Sequence, residues 1–293
     1  MNNQDNEKVF QKSQINWYPG HMAKTKRKIQ DLMPLIDYVL EIVDSRIPVS
    51  SRIIDLNEII KNKPIIVVMT KYDICDAEET NKWIKKYESD GTPIVAVSLK
   101  NDVDYKKVLT KIEELASAIN ESRKNKGLKP KNLRGLVIGI PNAGKSTLIN
   151  KLARKKVSGV GNTPGYTKDL SWFKAGNTLL LDSPGILWPK INSDEVALNL
   201  SSMSAIKIEI LPIHDIAVHI LKKLDKYYPL ILKSRYGLDF LDDDFEKNYR
   251  IIGQKIGAIT KNNIDYNKVS LFIINDIKNE NIKGITFDRC DNE

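Results

Sequence analysis

The chain has 293 residues, a formal net charge of +9 and 41% hydrophobic residues, enough to bury the cores of two domains. It contains no apolar run of the roughly eighteen residues that a membrane span needs, and its polar N-terminus lacks the apolar core of a secretory signal. Its two cysteines, Cys75 and Cys290, stand in no metal-ligand spacing. We therefore expect a cytoplasmic, monomeric protein without disulfide bonds or membrane contact.

The excess positive charge lies in the first two-thirds of the chain. Residues 190–293 carry 15 basic and 16 acidic residues, whereas the rest of the chain carries 31 and 21. Two basic stretches, Lys24 to Lys28 and Arg123 to Arg134, are candidates for contact with a nucleic-acid backbone. Solvated helix faces and a soluble linker explain the same charges equally well, so charge alone leaves nucleic-acid binding open.

Apolar runs alternate with amphipathic stretches in the first part of the chain. Strands are predicted at 38–43, 64–69 and 93–97, and helices at 53–60, 78–87 and 105–119. This alternation predicts a parallel sheet that helices cover on both faces.

The next segment, 121–132, has no periodicity and is predicted to be a connection. A strand at 133–140, a helix at 145–152, a loop at 155–167 and a hairpin at 171–182 should follow. After Pro189 the pattern indicates helices and no convincing strand pair, the clearest helix running from Asp242 to Thr260. We therefore predict an α/β domain over residues 1–189 and a helical domain over residues 190–293.

The segment Gly139 to Ser146, GIPNAGKS, satisfies the phosphate-loop pattern between a predicted strand and a predicted helix. Lys145 would neutralise the β and γ phosphate oxygens, Ser146 would ligate Mg²⁺, and backbone amides would face the phosphates. A chance Gly-rich turn is disfavoured by the Lys-Ser pair at the required place. The candidate nucleotide-binding residues here are Asn142, Ala143, Gly144, Lys145, Ser146 and Thr147.

The segment Asp182 to Gly185, DSPG, follows about forty residues later at a predicted strand end. The Asp182 carboxylate is predicted to hold Mg²⁺ through water, and the Gly185 amide to meet the γ-phosphate. Alone, such a pattern is typical of a turn, but behind a phosphate loop it supports a nucleotide site. Thr167, in the intervening loop, is the candidate hydroxyl that closes over Mg²⁺, with an ordinary loop threonine as the alternative.

The segment Thr70 to Asp73, TKYD, indicates that the base is guanine. The Asp73 carboxylate can accept from N1–H and from the exocyclic amine of guanine, a pair that adenine cannot form. The aliphatic stem of Lys71 can cover one side of the base, and Ser98 and Leu99 would close the other. Because Asn usually begins this motif, Thr70 is expected to lose the contact that ties the motif to the phosphate loop.

This base-reading motif precedes the phosphate loop by about seventy residues, whereas GTP-binding domains ordinarily have the two motifs in the reverse order. Reversal keeps the pocket and moves the chain ends. The predicted fold class is therefore α/β, a circularly permuted P-loop GTPase domain followed by a smaller all-helical domain.

The order of these motifs resembles that of the circularly permuted GTPases of ribosome assembly. Trp17 to Lys24, WYPGHMAK, resembles the N-terminal signature of the ribosome biogenesis GTPase A (YlqF) family. Asp44 to Pro48, DSRIP, is similar to the D-A-R-x-P segment of that family, and Asp182 to Pro189 is similar to its D-T-P-G-[IL]-[LM]-W-P segment. The resemblance covers nearly the whole chain and is weakest past residue 200.

The resemblance implies a GTPase that is slow alone and is stimulated by the precursor of the large (50S) ribosomal subunit. It also implies that the helical domain helps to grip ribosomal RNA. Ile186 stands where many GTPases have a water-orienting Gln, and the resemblance nominates His21 as the catalytic residue instead. It nominates Asn142 as a K⁺ ligand, with loop capping as the alternative. His214 and His219 are expected to be structural.

Two other functions remain open at this point. A nucleotide-gated protein-interaction switch without an RNA role is favoured by the near-neutral balance of residues 190–293. An ATP-using kinase is disfavoured by Asp73.

Overall fold

The structure is a computed structural model that describes residues 20–54, 56–154, 170–185, 191, 193–207, 210–261 and 263–290, with the backbone alone for residues 20–23. Thr167 and Ile186 lie outside the described residues, as does the side chain of His21.

Among the described residues, six strands form one sheet. They are β1 (Tyr38–Asp44), β2 (Ile65–Thr70), β3 (Ile94–Ala96), β4 (Arg134–Gly139), β5 (Ser171–Ala175) and β6 (Thr178–Asp182). Their order is β3-β2-β1-β4-β6-β5, and all neighbours are parallel except the β5–β6 hairpin. Every residue of the central strand β1 is buried, as a strand covered on both faces should be.

Five helices cover the two faces of the sheet. They are α1 (Gly20–Leu32), α2 (Leu56–Ile60), α3 (Ala77–Ser89), α4 (Tyr105–Asn125) and α5 (Lys145–Leu152). On one face, Ile29 of α1 packs with Val39 and Leu181, and Trp83 of α3 packs with Val43. Helices α4 and α5 pack on the opposite face. The predicted α/β architecture is confirmed.

Five further helices follow among the described residues after position 190. They are α6 (Asp194–Ser202), α7 (Ile213–Tyr227), α8 (Pro229–Tyr236), α9 (Phe245–Lys255) and α10 (Tyr266–Lys278). Their apolar residues belong to the same hydrophobic cluster as the α4–α5 face of the sheet. The division at residue 189 stays a prediction, because residues 186–190 lie outside the described part of the chain.

Three expectations about helix ends were wrong. Helix α2 begins at Leu56, later than the predicted start at residue 53. Helix α4 continues to Asn125, beyond the predicted end at residue 119, so the aperiodic segment begins later. Helix α9 is shorter than the predicted 242–260: the Asp244 side chain caps its start, and Gly257 follows its end at φ 64°. Beyond that turn the chain folds back, and Ile259 approaches Gly253.

This reversal forms a strand pair that was not expected. Strands β7 (Ile259–Thr260) and β8 (Asn263–Ile264) are antiparallel and only two residues long. Such a short pair leaves no period-2 pattern to detect. None of the helices described is long and apolar enough to cross a bilayer.

Candidate functional site

The carboxyl ends of four strands bring the predicted motifs to one edge of the sheet. In the parallel register, Asp44 of β1 lies opposite Thr70 of β2, and Ile42 lies opposite Gly139 of β4. Val137 of β4 lies opposite Asp182 of β6. The base-reading motif, the phosphate loop and the D-x-P-G segment therefore leave the sheet on the same side, where open α/β sheets bind ligands.

The shape of the phosphate loop depends on one close contact with the neighbouring strand and on two residues with left-handed backbone conformation. A Cβ atom on Gly139 would collide with the carbonyl oxygen of Ile42, so the start of the loop needs glycine. Asn142 and Gly144 have φ angles of 59° and 89°. Gly144 is the N-cap of α5, which begins at Lys145 as the pattern predicted. A tight loop thus leads directly into a helix N-terminus, a geometry that favours phosphate binding.

Lys145 lies inside this loop. Its Nζ atom donates to the carbonyl oxygen of Ile140 at 2.8 Å. Burial lowers the pKa of Lys145 to about 8, against the opposing attraction of the Asp182 carboxylate. The predicted phosphate-binding cation and the predicted Mg²⁺-holding carboxylate are therefore in electrostatic contact, and a bound phosphate would favour the charged form of the lysine.

The D-x-P-G segment packs directly on the phosphate loop. Asp182 is buried at the end of β6, and the Ser183 hydroxyl donates to the carbonyl oxygen of Val137 at 2.7 Å. A Cβ atom on Gly185 would lie only 2.8 Å from the Cα atom of Pro141. Glycine at position 185 is therefore what lets the two loops touch.

Thr70 does tie the base-reading motif to the phosphate loop, contrary to the sequence-based expectation. Its Oγ1 atom lies 2.5 Å from the carbonyl oxygen of Ala143 and 3.0 Å from that of Val43. The hydroxyl has one hydrogen to donate, and the shorter distance favours Ala143. Thr70 is fully buried, so this hydrogen bond is shielded from water. The hydroxyl replaces the amide contact that was expected to be lost.

Lys71 is held by a buried carboxylate that sequence reasoning did not assign. Its Nζ atom lies 2.7 Å from Asp44 Oδ2, and the Asp44 carboxylate also accepts two hydrogen bonds from the Arg46 guanidinium at 3.0 and 2.8 Å. Burial alone would raise the pKa of Asp44, but Arg46 and Lys71 hold it well below its usual range. The sequence signals were a carboxylate at the end of a buried strand and its place in the DSRIP segment, neither of which predicted the pairing with Lys71.

The turn after β3 forms the other side of the predicted base-binding site. The Ser98 amide donates to Asp104 Oδ2 at 3.0 Å, and a Cβ atom on Gly144 would lie 3.4 Å from Leu99 Cδ1. Leu99 therefore contacts the phosphate loop as well. Asp73 Oδ2 lies 3.4 Å from Lys100 Nζ, and Lys100 also pairs with Glu280. Sequence reasoning missed Glu280.

Asn142 links the phosphate loop to the helical region. Its Nδ2 atom donates to the carbonyl oxygen of Ser204, just after α6, at 2.6 Å. This contact spans 62 residues and is therefore not capping of the phosphate loop by its own side chain. Binding of K⁺ would use the side-chain oxygen.

The two histidines of α7 are packed within the helical region. His219 Nε2 lies 2.8 Å from Asn199 Oδ1, and burial lowers its pKa to about 4. The His214 ring lies tilted against the Tyr249 ring at a centroid distance of 5.1 Å. Both contacts fit the structural role expected for these residues.

The side chains of this site that could bind a metal suit an ion that binds together with a nucleotide. The described residues contain no group of three or more His, Cys, Asp or Glu side chains that could hold an ion on their own. Mg²⁺ in a phosphate-loop site needs few protein ligands, because phosphate oxygens and water supply the rest. The hydroxyl of Ser146 at the start of α5 and the carboxylate of Asp182 meet this requirement.

The chain is similar to known GTPases along most of its length. Residues 134–247 match the family model described as "50S ribosome-binding GTPase". The Ribosome biogenesis GTPase A of Bacillus licheniformis is 41% identical over 277 residues, covering 94% of this chain and 98% of that protein. The Probable ribosome biogenesis GTPase A of Mycoplasma genitalium is 31% identical, covering 92% and 95%.

Two solved structures share the fold. The GNP-bound YlqF from T. maritima has a TM-score of 0.66 at 24% identity, covering 91% of this chain and 98% of that one. The GDP-bound TM YlqF has a TM-score of 0.68 at 22% identity, covering 90% and 100%.

Proposed function

The chain belongs to the ribosome biogenesis GTPase A family and is a GTPase, and on this premise we propose that it is an assembly factor for the large ribosomal subunit. It binds the subunit precursor through ribosomal RNA and uses GTP hydrolysis as a checkpoint. Hydrolysis is slow in the free protein and is stimulated by the precursor.

In this proposal the edge of the sheet binds Mg²⁺ and GTP. Ser146 and Thr167 ligate the metal directly, and Asp182 holds it through water. Lys145 neutralises the phosphates, and the Gly185 amide meets the γ-phosphate. The remaining nucleotide contacts come from Thr70, Lys71, Asp73, Ser98, Leu99, Asn142, Ala143, Gly144 and Thr147. Asn142 Oδ1 is also the proposed ligand of a K⁺ ion. Faster GTP hydrolysis in potassium buffer than in sodium buffer would support this role.

The observation that carries the checkpoint is the hydrogen bond from Asn142 to Ser204. It joins the phosphate loop to the turn between α6 and α7 at 2.6 Å. A change in the phosphate loop between the GTP and GDP states therefore has a direct path to the helices. Such a change can reorient the helical region on RNA, as loops that sense the γ-phosphate do in other switches.

The RNA contact is supported by exposed basic residues at the end of α4. Lys124, Lys126 and Lys129 are exposed, whereas Lys131 pairs with Asp37 at 2.5 Å. Lys24 and Arg27 are exposed on α1. Phosphate contacts of this kind release counterions, so the affinity should fall steeply as salt is raised.

The test is a salt titration of binding to purified large-subunit precursors. Replacement of Lys124, Lys126 and Lys129 by Gln should weaken binding, flatten the salt slope and leave intrinsic GTP hydrolysis unchanged. A control replaces three lysines near the start of the same helix, Lys106, Lys107 and Lys111, of which Lys107 and Lys111 form ion pairs within the helix or at its start. Equal binding by both triple variants would count against RNA contact at this surface.

A second function is a nucleotide-gated protein-interaction switch without an RNA role. The near-neutral charge of residues 190–293, 15 basic against 16 acidic, favours it. Nucleotide-dependent association with a protein, together with salt-insensitive or absent binding to the subunit precursor, would favour this switch over the assembly factor.

A further inference from the structure

The chain after α10 crosses the base-reading loop. The Gly284 amide donates to the carbonyl oxygen of Ile74 at 2.9 Å, directly after Asp73. The Asp76 amide donates to Thr286 Oγ1 at 3.2 Å. We call residues 280–290 the C-terminal strap. It places a segment from the far end of the chain against the loop that is proposed to read the base.

The C-terminal strap is firmly anchored beyond that loop. Asp288 Oδ2 accepts from the amides of Val49 and Ser50 at 2.8 and 2.7 Å, and Oδ1 accepts from the Ser50 hydroxyl at 2.6 Å. The Phe287 amide donates to the carbonyl oxygen of Arg46 at 2.7 Å. Charge-assisted bonds to backbone amides are among the stronger hydrogen bonds, so the strap has a defined position on the α/β domain.

Glu280 begins the strap in an unusual backbone conformation. Asn279 is the C-cap of α10, and Glu280 follows it at φ 58°. Glycine is the usual residue at this position of a helix end, because a side chain disfavours the left-handed region. The Glu280 carboxylate pairs with Lys100, whose ammonium group also lies 3.4 Å from Asp73 Oδ2. Three charges therefore form a chain from the helical region to the base-reading carboxylate.

We propose that Glu280 is a positioning residue for guanine recognition, which holds Lys100 so that the Asp73 carboxylate stays available to the base. The proposal rests on the proposed reading of guanine by Asp73. Both oxygens of that carboxylate are needed for N1–H and the exocyclic amine. Without Glu280, the Lys100 ammonium pairs with Asp73 alone and competes with the base for its oxygens.

This arrangement makes the helical region part of the nucleotide site. Glu280 is attached to the end of α10, so displacement of that helix by a partner moves the carboxylate away from Lys100. Guanine nucleotide affinity then falls, and by reciprocity bound nucleotide opposes that displacement. The coupling acts at the base and is therefore equal for GDP and GTP.

Glu280→Gln tests the proposal in the full-length protein, with affinities for GDP, GTP and IDP measured by titration calorimetry. The energy of an exposed charge pair predicts that GDP and GTP both bind about twofold to fivefold more weakly. IDP, which lacks the exocyclic amine, should lose less. In a Lys100→Met background, which keeps the aliphatic stem and removes the charge, Glu280→Gln should cause a smaller loss. The remaining loss reflects the attraction of Glu280 to Lys71 and Arg46. Glu246→Gln, which breaks an exposed pair with Arg250 on α9, is the matched control and should leave all three affinities unchanged.

Unchanged GDP affinity in Glu280→Gln, or the same loss in the Lys100→Met background, would overturn the proposal. An equal loss for GDP and IDP would overturn it as well. The Asp73→Asn variant distinguishes failure of the proposal for Glu280 from failure of the proposed base reading by Asp73. If Asp73→Asn weakens GDP binding and Glu280→Gln does not, only the role of Glu280 is refuted.

Discussion

The side-chain oxygen of Thr70 lies 2.5 Å from the carbonyl oxygen of Ala143, so one hydrogen bond joins residues 73 positions apart in sequence. It connects the end of β2 to the phosphate loop across the intervening strand β1. This hydrogen bond therefore connects the part of the site that is proposed to read the base with the part that is proposed to hold the phosphates.

Thr70→Val should weaken nucleotide binding and lower stability. Valine keeps the shape of threonine but leaves a buried carbonyl group without its donor, at a cost of about 1 to 3 kcal/mol. Urea unfolding and GDP titration measure the two effects, and Thr70→Ser, which keeps a hydroxyl, is the control. Wild-type values for Thr70→Val in both measurements would show that the link has no energetic role.

Asp73→Asn should change the base that is bound. The amide cannot accept from both N1–H and the exocyclic amine of guanine, whereas the carbonyl group that xanthine has there can accept from the amide. We expect GDP affinity to fall and xanthosine diphosphate affinity to rise, measured by competition for one fluorescent nucleotide. Unaltered GDP affinity would remove the base-reading assignment.

Binding of GDP should take up a proton at alkaline pH through Lys145. Burial lowers the pKa of this lysine to about 8 from a reference value of 10.5, and phosphate should raise it again by favouring the ammonium form. Calorimetry at about pH 8.5 in two buffers of different ionisation enthalpy measures the uptake. Buffer-independent enthalpies would contradict this role.

The lowered pKa of Lys145 also determines how the stability of the nucleotide-free protein changes with pH. Between about pH 8 and 10.5 the unfolded state binds more protons at Lys145 than the folded state does, so this residue makes stability rise with pH across that window. Lys145→Met should lose that increment and should also lose nucleotide binding while remaining folded. A Lys145→Met protein that fails to fold would mean that the lysine is structural.

The parts of the site that could be predicted are contiguous in sequence. Gly139 to Ser146 contains a strand end, a loop and a helix start, so local pattern alone placed the start of α5 at Lys145. The hydrogen bond of Thr70 depends on how two distant loops approach each other. Glu280 is one of 16 acidic residues after position 189, and only the folded chain shows which of them reaches Lys100. Side-chain pairing between distant segments has no periodic signature in a single sequence.

Gly185→Ala should impair hydrolysis more than GDP binding. A Cβ atom there would lie 2.8 Å from the Cα atom of Pro141, so the D-x-P-G segment must move away from the phosphate loop. The contact proposed between the Gly185 amide and the γ-phosphate is then lost, whereas GDP has no γ-phosphate. Single-turnover GTP hydrolysis and GDP titration separate the two, and an equal effect on both would place Gly185 in general packing of the loop.

His21→Ala should abolish most precursor-stimulated hydrolysis while GTP binding persists. His21 belongs to the first turn of α1, and its side chain lies outside the described residues. Farther along this helix, Ile29 packs with Ile138 and Leu181, which lie in the strands that lead to the phosphate loop and the D-x-P-G segment. The helix is thus anchored to the strands that form the site, and docking of the precursor could bring its first turn over the γ-phosphate. A neutral imidazole can then orient the attacking water, which the apolar Ile186 cannot do.

The expected loss of stimulated turnover is on the order of 10²-fold or more, as for other groups that handle the reacting water. The variant should also remain bound to the precursor, because release follows hydrolysis in the proposed checkpoint. The alternative is a histidine that caps or packs the start of α1, which would lower the melting temperature and leave stimulated turnover intact. Stimulated GTP hydrolysis, precursor release and thermal unfolding of the same variant distinguish the two roles. Normal stimulated turnover together with normal precursor binding would exclude His21 from catalysis.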